Sequence, residues 1–302
     1  MANKKHDVIV VGGGPAGSTT ALYLARRGID VLVIDGRDPI GTPLQCGELV
    51  PSNDEMRRLC PKVPDMDDLF QTPDHAICRL VPEMHLVTPS GKRLKYRFEG
   101  MVLDRVAHDE ALVKRAEREG AKYLVGARVK HVESQSVTLS DGRIFDAKVI
   151  VGAGGHHDIV RRTGWSDKSL NIPVKFAIKK GIHTEALELH FGSIAPGGYA
   201  WVFPKNGSSN IGIGIQRRFA RGTSLNTLAR QFIDSYNGDL EYEGAGALPM
   251  SGTIRSFIKG KHVLVGDSAG MVLPSNGAGI TIAMIGGRIA GNAIADLSLI
   301  HI

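Results

Sequence analysis

Hydrophobic and polar positions near the start of the chain alternate in a strand, turn, helix and strand pattern. Residues 7–11 form a short run rich in β-branched side chains, which is typical of a central parallel strand. The next segment places Ala21, Leu24 and Ala25 on one helical face, and a glycine ends that helix. Residues 29–34 are again mostly apolar and predict the second strand. The pattern predicts one βαβ unit.

The chain then leaves and re-enters this α/β pattern. Residues 36–70 contain five prolines, so we expect irregular chain on the surface rather than additional strands. Residues 105–119 predict a charged amphipathic helix that feeds a strand over residues 121–129. Asp141 and Gly142 are typical of a two-residue hairpin turn.

A different pattern occupies residues 172–215, where strand follows strand and Asn206-Gly207 predicts another hairpin. The α/β pattern returns with a strand that ends at Gly266-Asp267 and a glycine-rich helix over about residues 277–295. The expected fold class is therefore α/β, with a Rossmann-like nucleotide-binding domain that contains an inserted antiparallel β-rich substrate domain. The expected boundaries are 1–70, 101–165 and 254–302 for the first domain, and 71–100 and 166–253 for the second.

Composition agrees with a folded protein of about two domains. The chain has 302 residues, of which 42% are hydrophobic and 23% are charged. The formal net charge of +6 permits an anionic partner, but the basic residues occur as scattered pairs, which favours solvated surface and no nucleic-acid partner. The count of 37 glycines is high and indicates many positions of positive φ or close backbone approach.

Cysteine usage and hydropathy indicate a reducing compartment. Cys46, Cys60 and Cys78 are an odd number without C-x-x-C spacing, which argues against a disulfide framework or a structural zinc site. We find no signal segment and no apolar run of about 18 residues that would span a membrane. The expected localisation is cytoplasmic. His156, His157 and Asp158 predict a turn rather than a metal site, because no further ligands have metal spacing.

Glycines in the first turn predict a phosphate-binding site. Gly12, Gly14 and Gly17 form G-x-G-x-x-G between a strand and a helix, where backbone amides and the helix N-terminus meet a pyrophosphate. Asp35 ends the second strand, where an acid accepts hydrogen bonds from ribose hydroxyls and disfavours the 2′-phosphate of NADP. A strand-ending acid such as Asp267 is most often a turn or cap residue. Together with the first motif, it favours FAD, because its carboxylate can bind the ribitol chain.

These motifs resemble a known family. GGGPAG with Asp35, LQCGE around Cys46, VGDSAG around Asp267 and PSNGAGI are similar to the signatures of para-hydroxybenzoate-hydroxylase-like flavoproteins. Within that superfamily, PGGYAWVFP resembles the P-x-x-Y-x-W-x-F-P signature of geranylgeranyl reductases, especially the archaeal digeranylgeranylglycerophospholipid reductase type. The resemblance covers almost the whole chain. Two features depart from it: Gly154 stands where an Asp is common, and we expect the helical C-terminal region of the family to be missing.

The resemblance implies FAD as the cofactor and assigns its contacts residue by residue. The implied FAD-binding residues are Gly12, Gly14, Ala16, Gly17, Asp35, Cys46, Gly47, Arg105, Ala127, Asp267, Gly279 and Ile280. Cys46 taken alone would be an ordinary buried thiol. In the position where the family has a cysteine beside the flavin, it is a candidate catalytic proton donor or a group that tunes the flavin.

The aromatic signature has two interpretations. Tyr199, Trp201 and Phe203 point to one face of a strand, and such a stripe is ordinarily sheet core. Its placement in the inserted domain favours a substrate-binding wall, which suits a long isoprenoid chain.

The leading functional hypothesis is FAD-dependent reduction of isoprenoid carbon–carbon double bonds in geranylgeranyl membrane lipids. The alternatives are an aromatic-ring monooxygenase of the same fold and a non-catalytic flavin or lipid carrier. The expected partners are the lipid substrate, peripheral contact with the inner face of the membrane, and an external electron donor. Ferredoxin, deazaflavin and nicotinamide all remain open as that donor.

Overall fold

The structure is a computed structural model that describes residues 4–167 and 170–300, and the side chains of these residues except 298–300. The strands are β1 Lys4–Val11, β2 Val31–Ile34, β3 Leu49–Pro51, β4 Ile77–Val87, β5 Arg93–Leu103, β6 Lys122–Leu124, β7 Val129–Val132, β8 Ser136–Leu139, β9 Ile144–Gly152, β10 Asn171–Lys180, β11 Leu187–His190, β12 Tyr199–Pro204, β13 Ser208–Gly214, β14 Asp239–Pro249, β15 Ile258–Lys259 and β16 His262–Leu264. The α-helices are α1 Pro15–Ala25, α2 Asn53–Leu59, α3 Met66–Leu69, α4 Arg105–Arg118, α5 Leu225–Ile233 and α6 Ile280–Ile300.

The chain divides into two compact units, each assembled from separate segments. Unit 1 comprises Met1–Thr42, Val106–Asn171 and Pro249–Ile302. Unit 2 comprises Pro43–Arg105 and Ile172–Leu248. These divisions differ from the sequence-based boundaries chiefly at residues 43–70, which group with unit 2 because β3 pairs with β5 there.

Unit 1 contains a mainly parallel sheet in the order β15-β16-β9-β1-β2-β6. The central strand β1 pairs in parallel with β2 and β9, and β9 pairs in parallel with β16. Ile9, Val10 and Ile150 have no exposed surface, as expected for parallel strands that are covered on both faces. Strand β8 pairs antiparallel with both β7 and β9, and the turn between β8 and β9 lies at Asp141-Gly142 as predicted. The Rossmann-like part of the predicted fold class is confirmed.

Unit 2 contains a second eight-stranded sheet in the order β14-β10-β13-β12-β11-β4-β5-β3. Antiparallel pairing joins β10 to β13, β13 to β12, β12 to β11, β4 to β5 and β5 to β3, whereas β11 and β4 pair in parallel. The predicted hairpin at Asn206-Gly207 joins β12 to β13, and Gly207 has a φ of +80°. Ala200 and Val202 pack in a core with helix α5, so the alternate residues of β12 belong to the other face of the sheet.

Two local predictions were wrong. The proline-rich segment is more regular than expected, because Ser52 accepts a hydrogen bond from Glu55 N at 3.1 Å and starts helix α2. The single strand predicted over residues 121–129 is divided into β6 and β7, since Gly126 has a φ of +65° between them.

Helix α6 is more apolar along its length than the sequence analysis predicted. The window Ile280–Leu297 has a mean hydropathy of 1.2 over 18 residues, which is sufficient to cross a membrane by length and composition alone. Buried helices of folded domains have the same composition, and 44% of this window is buried. A Cβ at Gly287 would lie 2.5 Å from the Ala16 carbonyl oxygen, so α6 packs closely against α1.

Candidate active site

Two positions admit only glycine, one in the turn between β1 and α1 and one in the first turn of α1. Gly12 has a φ of +107°, and a Cβ there would lie 2.4 Å from the Ala153 carbonyl oxygen. A Cβ at Gly17 would lie 1.8 Å from the Gly12 carbonyl oxygen. At Gly14, by contrast, no described atom lies within 4 Å of the position of a Cβ. The backbone is therefore tightly packed beneath the turn and open at the helix N-terminus.

The open end of α1 has the features of an anion site. Its N-cap is Gly14, which offers no side-chain hydrogen bond to the helix, and Pro15 follows in the first turn. Unpaired amides and the helix dipole at such an end attract a phosphate group. The uncapped N-terminus and the open space beside it fit the pyrophosphate of a dinucleotide.

Asp35 lies beside this turn and connects it to the end of β2. Its Oδ2 accepts a hydrogen bond from Gly13 N at 2.7 Å, and its Oδ1 accepts one from Arg37 N at 2.8 Å. Each carboxylate oxygen has a further lone pair that can accept a ribose hydroxyl. Ala127 is adjacent, because its N–H donates to the Asp35 carbonyl oxygen at 2.9 Å.

The Gly266-Asp267 turn lies close to the same end of α1. Gly266 has a φ of +65°, and a Cβ there would lie 2.7 Å from the Ala16 Cβ. Asp267 Oδ1 is 3.5 Å from the Cβ position of Gly279, which directly precedes the first residue of α6, Ile280. Unit 1 thus brings together nine of the predicted FAD residues, and the two carboxylates and two helix N-termini fit that cofactor. These residues are Gly12, Gly14, Ala16, Gly17, Asp35, Ala127, Asp267, Gly279 and Ile280.

Asp158 has a structural role at this site that the sequence analysis missed. Its buried carboxylate accepts hydrogen bonds from Gly154 N at 2.6 Å, Arg161 N at 2.8 Å and Ser268 Oγ at 3.0 Å. Asp158 therefore connects the turn after β9 to Ser268, the residue that follows Asp267. The turn after β9 is also in contact with Gly12. The available signal was an aspartate four residues after Gly154, a spacing that allows it to cap its own turn.

The remaining predicted residues of the cofactor site lie in unit 2. Cys46 is a partly buried free thiol, and Glu48 N donates to its Sγ at 3.1 Å. A Cβ at Gly47 would lie 3.2 Å from Phe203 Cε2 and 3.5 Å from Trp201 Nε1, so this loop lies directly on the aromatic stripe. Arg105 begins α4.

The aromatic stripe follows β12 on one face of the second sheet. The ring centroids of Tyr199 and Trp201 are 6.0 Å apart, and those of Trp201 and Phe203 are 6.1 Å apart. Trp201 and Phe203 are each only 5% exposed, whereas Tyr199 is partly buried. Burial, with a smaller contribution from Cys46, raises the pKa of Tyr199 to about 12, so its phenol is neutral at physiological pH. The stripe combines a buried core part with a less buried tyrosine near the Cys46 loop.

A buried ion pair that was not predicted from the sequence lies beneath that loop. Lys205 Nζ lies 2.8 Å and 2.7 Å from the two carboxylate oxygens of Glu48, which is 1% exposed. Asn210 donates to the same carboxylate at 3.0 Å. The sequence around Glu48 and Lys205 does not indicate that they pair, because isolated charged residues usually lie on a solvated surface.

Comparison with known proteins gives matches over both units. The sequence profile of the FAD dependent oxidoreductase family matches residues 7–52, and that of the geranylgeranyl reductase catalytic domain matches residues 171–246. Among solved structures, a geranylgeranyl bacteriochlorophyll reductase-like protein from Thermoplasma acidophilum is 26% identical, with a TM-score of 0.84 over 99% of this chain and 80% of that one. A probable FAD-dependent monooxygenase from Pseudomonas aeruginosa is 18% identical, with a TM-score of 0.69 over 98% of this chain and 87% of that one, and this likeness concerns the fold alone.

Curated relatives extend the match over nearly the whole chain. Digeranylgeranylglycerophospholipid reductase 1 of Methanococcoides burtonii is 32% identical over 97% of this chain and 75% of its own length. The reductase of the same name from Methanocella arvoryzae is 32% identical over 97% of this chain and 78% of its own. Given these identities and coverages, the chain belongs to the digeranylgeranylglycerophospholipid reductase family of FAD-dependent oxidoreductases.

Proposed function

We propose that this protein reduces carbon–carbon double bonds in the isoprenoid chains of geranylgeranyl membrane lipids, with FAD as its cofactor. The observation that carries this proposal is the match of residues 171–246 to the geranylgeranyl reductase catalytic domain. That region contains β10 to β14 of unit 2 and includes the aromatic stripe. The relatives that are similar over nearly the full chain are named for the same reaction class.

The residues of unit 1 bind and orient the cofactor in this proposal. The amides at the N-terminus of α1 bind the pyrophosphate, and Asp35 accepts hydrogen bonds from the adenosine ribose. Asp267 accepts hydrogen bonds from the ribitol chain. FAD, when bound and reduced, supplies a hydride from flavin N5 to one alkene carbon.

The residues of unit 2 bind the lipid and supply a proton. The apolar face around Tyr199, Trp201 and Phe203 forms a wall for the isoprenoid chain and excludes water from it. Cys46 holds a proton at Sγ and donates it to the second alkene carbon. The product gains two hydrogens, one as hydride and one as proton.

The proposal includes partners and a location. An external donor reduces the flavin in this proposal, and ferredoxin, deazaflavin and nicotinamide are the classes to test. The lipid substrate supports peripheral contact with the inner face of the membrane. The free cysteines are consistent with a cytoplasmic location.

Anaerobic incubation of dithionite-reduced protein with a geranylgeranyl glycerophospholipid tests the reaction. We expect the lipid mass to rise in steps of two hydrogens, and we expect denatured protein to release FAD rather than FMN. A matched reaction with Cys46→Ala isolates the proposed proton donor. Product that contains added oxygen, formed only in air, would indicate a monooxygenase, and bound flavin with unchanged lipid would indicate a carrier.

A further inference from the structure

The loop that contains Cys46 is held by polar side chains of the β12–β13 hairpin. Lys205, directly after β12, contacts both carboxylate oxygens of Glu48 at 2.8 Å and 2.7 Å. Asn210, on β13, donates from Nδ2 to the Cys46 carbonyl oxygen at 3.0 Å and to Glu48 Oε2 at 3.0 Å. Trp201 Nε1 donates to Asn210 Oδ1 at 2.9 Å and so fixes the orientation of that amide.

The backbone of Glu48 couples this network to the thiol. Glu48 has a φ of +68°, a left-handed conformation that is uncommon for a residue with a side chain. Its carbonyl oxygen accepts a hydrogen bond from Leu103 N at 2.8 Å, and its N–H donates to Cys46 Sγ at 3.1 Å. A change at the Glu48 carboxylate would therefore move the donor that contacts the sulfur.

The composition of the network indicates a role besides stability. A buried ion pair is often no more stabilising than apolar side chains of similar volume, because both charges lose their hydration. A fully hydrogen-bonded buried network, however, favours one arrangement of its groups over others. Here the Glu48 carboxylate receives donors from Lys205 and Asn210, and the same amide of Asn210 holds the Cys46 backbone.

We propose that Glu48, Lys205 and Asn210 are positioning residues that hold the Cys46 thiol in the geometry for proton donation. The proposal rests on the proposed function, in which Cys46 is the proton donor. None of the three residues transfers the proton itself. They act through the conformation of the loop, and a change in any of them alters the reactivity of one thiol.

A double-mutant cycle separates positioning from a purely structural role. The rate of alkene reduction is measured for the holoenzyme, Lys205→Met, Cys46→Ala and the double variant. We expect Lys205→Met to lower kcat at least tenfold when Cys46 is present and less than twofold in the Cys46→Ala background. Equal losses in both backgrounds would overturn the proposal. Lys175→Met, which removes an ion pair of 3.8 Å with Glu243 on the same sheet, is the matched control.

Alkylation of the thiol tests the same proposal without turnover. With Cys60 and Cys78 replaced by serine, the rate of reaction of Cys46 with N-ethylmaleimide is compared between that background and Lys205→Met. We expect at least a fivefold faster reaction, because the released loop exposes the sulfur, and no change in Lys175→Met. If Lys205→Met does not fold, the same alkylation rates are compared with Asn210→Ser, which introduces no unpaired charge.

Failure of the proposed function and failure of the positioning proposal give different experimental results. Absence of alkene reduction in the unmodified protein would contradict the proposed function, while the alkylation rates would still test the positioning. Equal alkylation rates in an enzyme that reduces the lipid would contradict the positioning alone.

Discussion

Replacing Trp201 with alanine is expected to destabilise unit 2 rather than only weaken lipid binding. The Trp201 side chain is 5% exposed, and a Cβ at Gly212 would lie 2.2 Å from its Cζ2, so the ring is tightly enclosed. Its Nε1 donates to Asn210 Oδ1. The substitution therefore creates a cavity and also leaves a buried amide oxygen without this donor.

The two effects have known magnitudes. Removal of a buried tryptophan ring costs about 3 to 5 kcal/mol of the free energy of unfolding. A buried acceptor that loses its donor adds about 1 to 3 kcal/mol. Because folded domains are stable by about 5 to 15 kcal/mol, Trp201→Ala should lose a large part of the total. Trp201→Phe retains an aromatic ring but loses the N–H donor, so we expect a smaller loss.

The assay combines urea unfolding, flavin stoichiometry and turnover of a short and a long prenyl lipid. We expect Trp201→Ala to lose stability and bound flavin together, and to lose turnover equally on both lipids. Tyr199→Ala, on the same stripe but less buried, is the control: it should retain more stability and lose turnover mainly on the long lipid. Wild-type stability of Trp201→Ala with a selective loss on the long lipid would refute this reasoning, because Trp201 would then contribute to lipid contact and not to the core of unit 2.

The other predictions concern the cofactor and the buried charges. Asp267→Ala should weaken FAD binding by about 1 to 3 kcal/mol in an equilibrium titration, and an unchanged affinity would make Asp267 a turn residue only. Lys205→Met should lower the free energy of unfolding by about 3 to 5 kcal/mol, since the buried Glu48 carboxylate is left without its cationic partner, and adding Glu48→Gln should restore much of it. Burial raises the pKa of the Cys78 thiol above its ordinary value of 9.0, so with the other two cysteines replaced by serine its alkylation should reach half of the maximal rate only above pH 9.0. A midpoint below that pH would contradict the burial of this thiol.

Local sequence patterns were sufficient to predict those parts of the fold whose backbone conformation is determined by neighbouring residues. The glycine turn is short and sterically determined, and Gly12 has the positive φ that its motif implies. The hairpin at Asn206-Gly207 was predicted for the same reason, because a two-residue turn fixes the pairing of its strands. Such features depend on a few consecutive residues.

The ion pair beneath Cys46 depends on residues far apart in the sequence. Glu48 and Lys205 are 157 positions apart, and each in isolation resembles a surface charge. Strand β3, within residues 43–70, was missed for a related reason, since it forms only by pairing with β5, which lies beyond that segment. Prolines mark where such elements end, and they give no information about distant partners.

The alternating assembly of the two units has a consequence for synthesis on the ribosome. Unit 2 ends at Leu248, whereas unit 1 still needs Pro249–Ile302. At a translation rate of about 5 to 20 residues per second, that last segment takes about 3 to 11 seconds to emerge. During this interval unit 2 is complete in sequence. In unit 1, however, β9 lacks its neighbouring strand β16, and α1 lacks the helix α6 that packs against it. A premature stop after Leu248 would leave a parallel sheet with an apolar edge, which is a site of aggregation, so we expect nascent chains of this length to depend on chaperones.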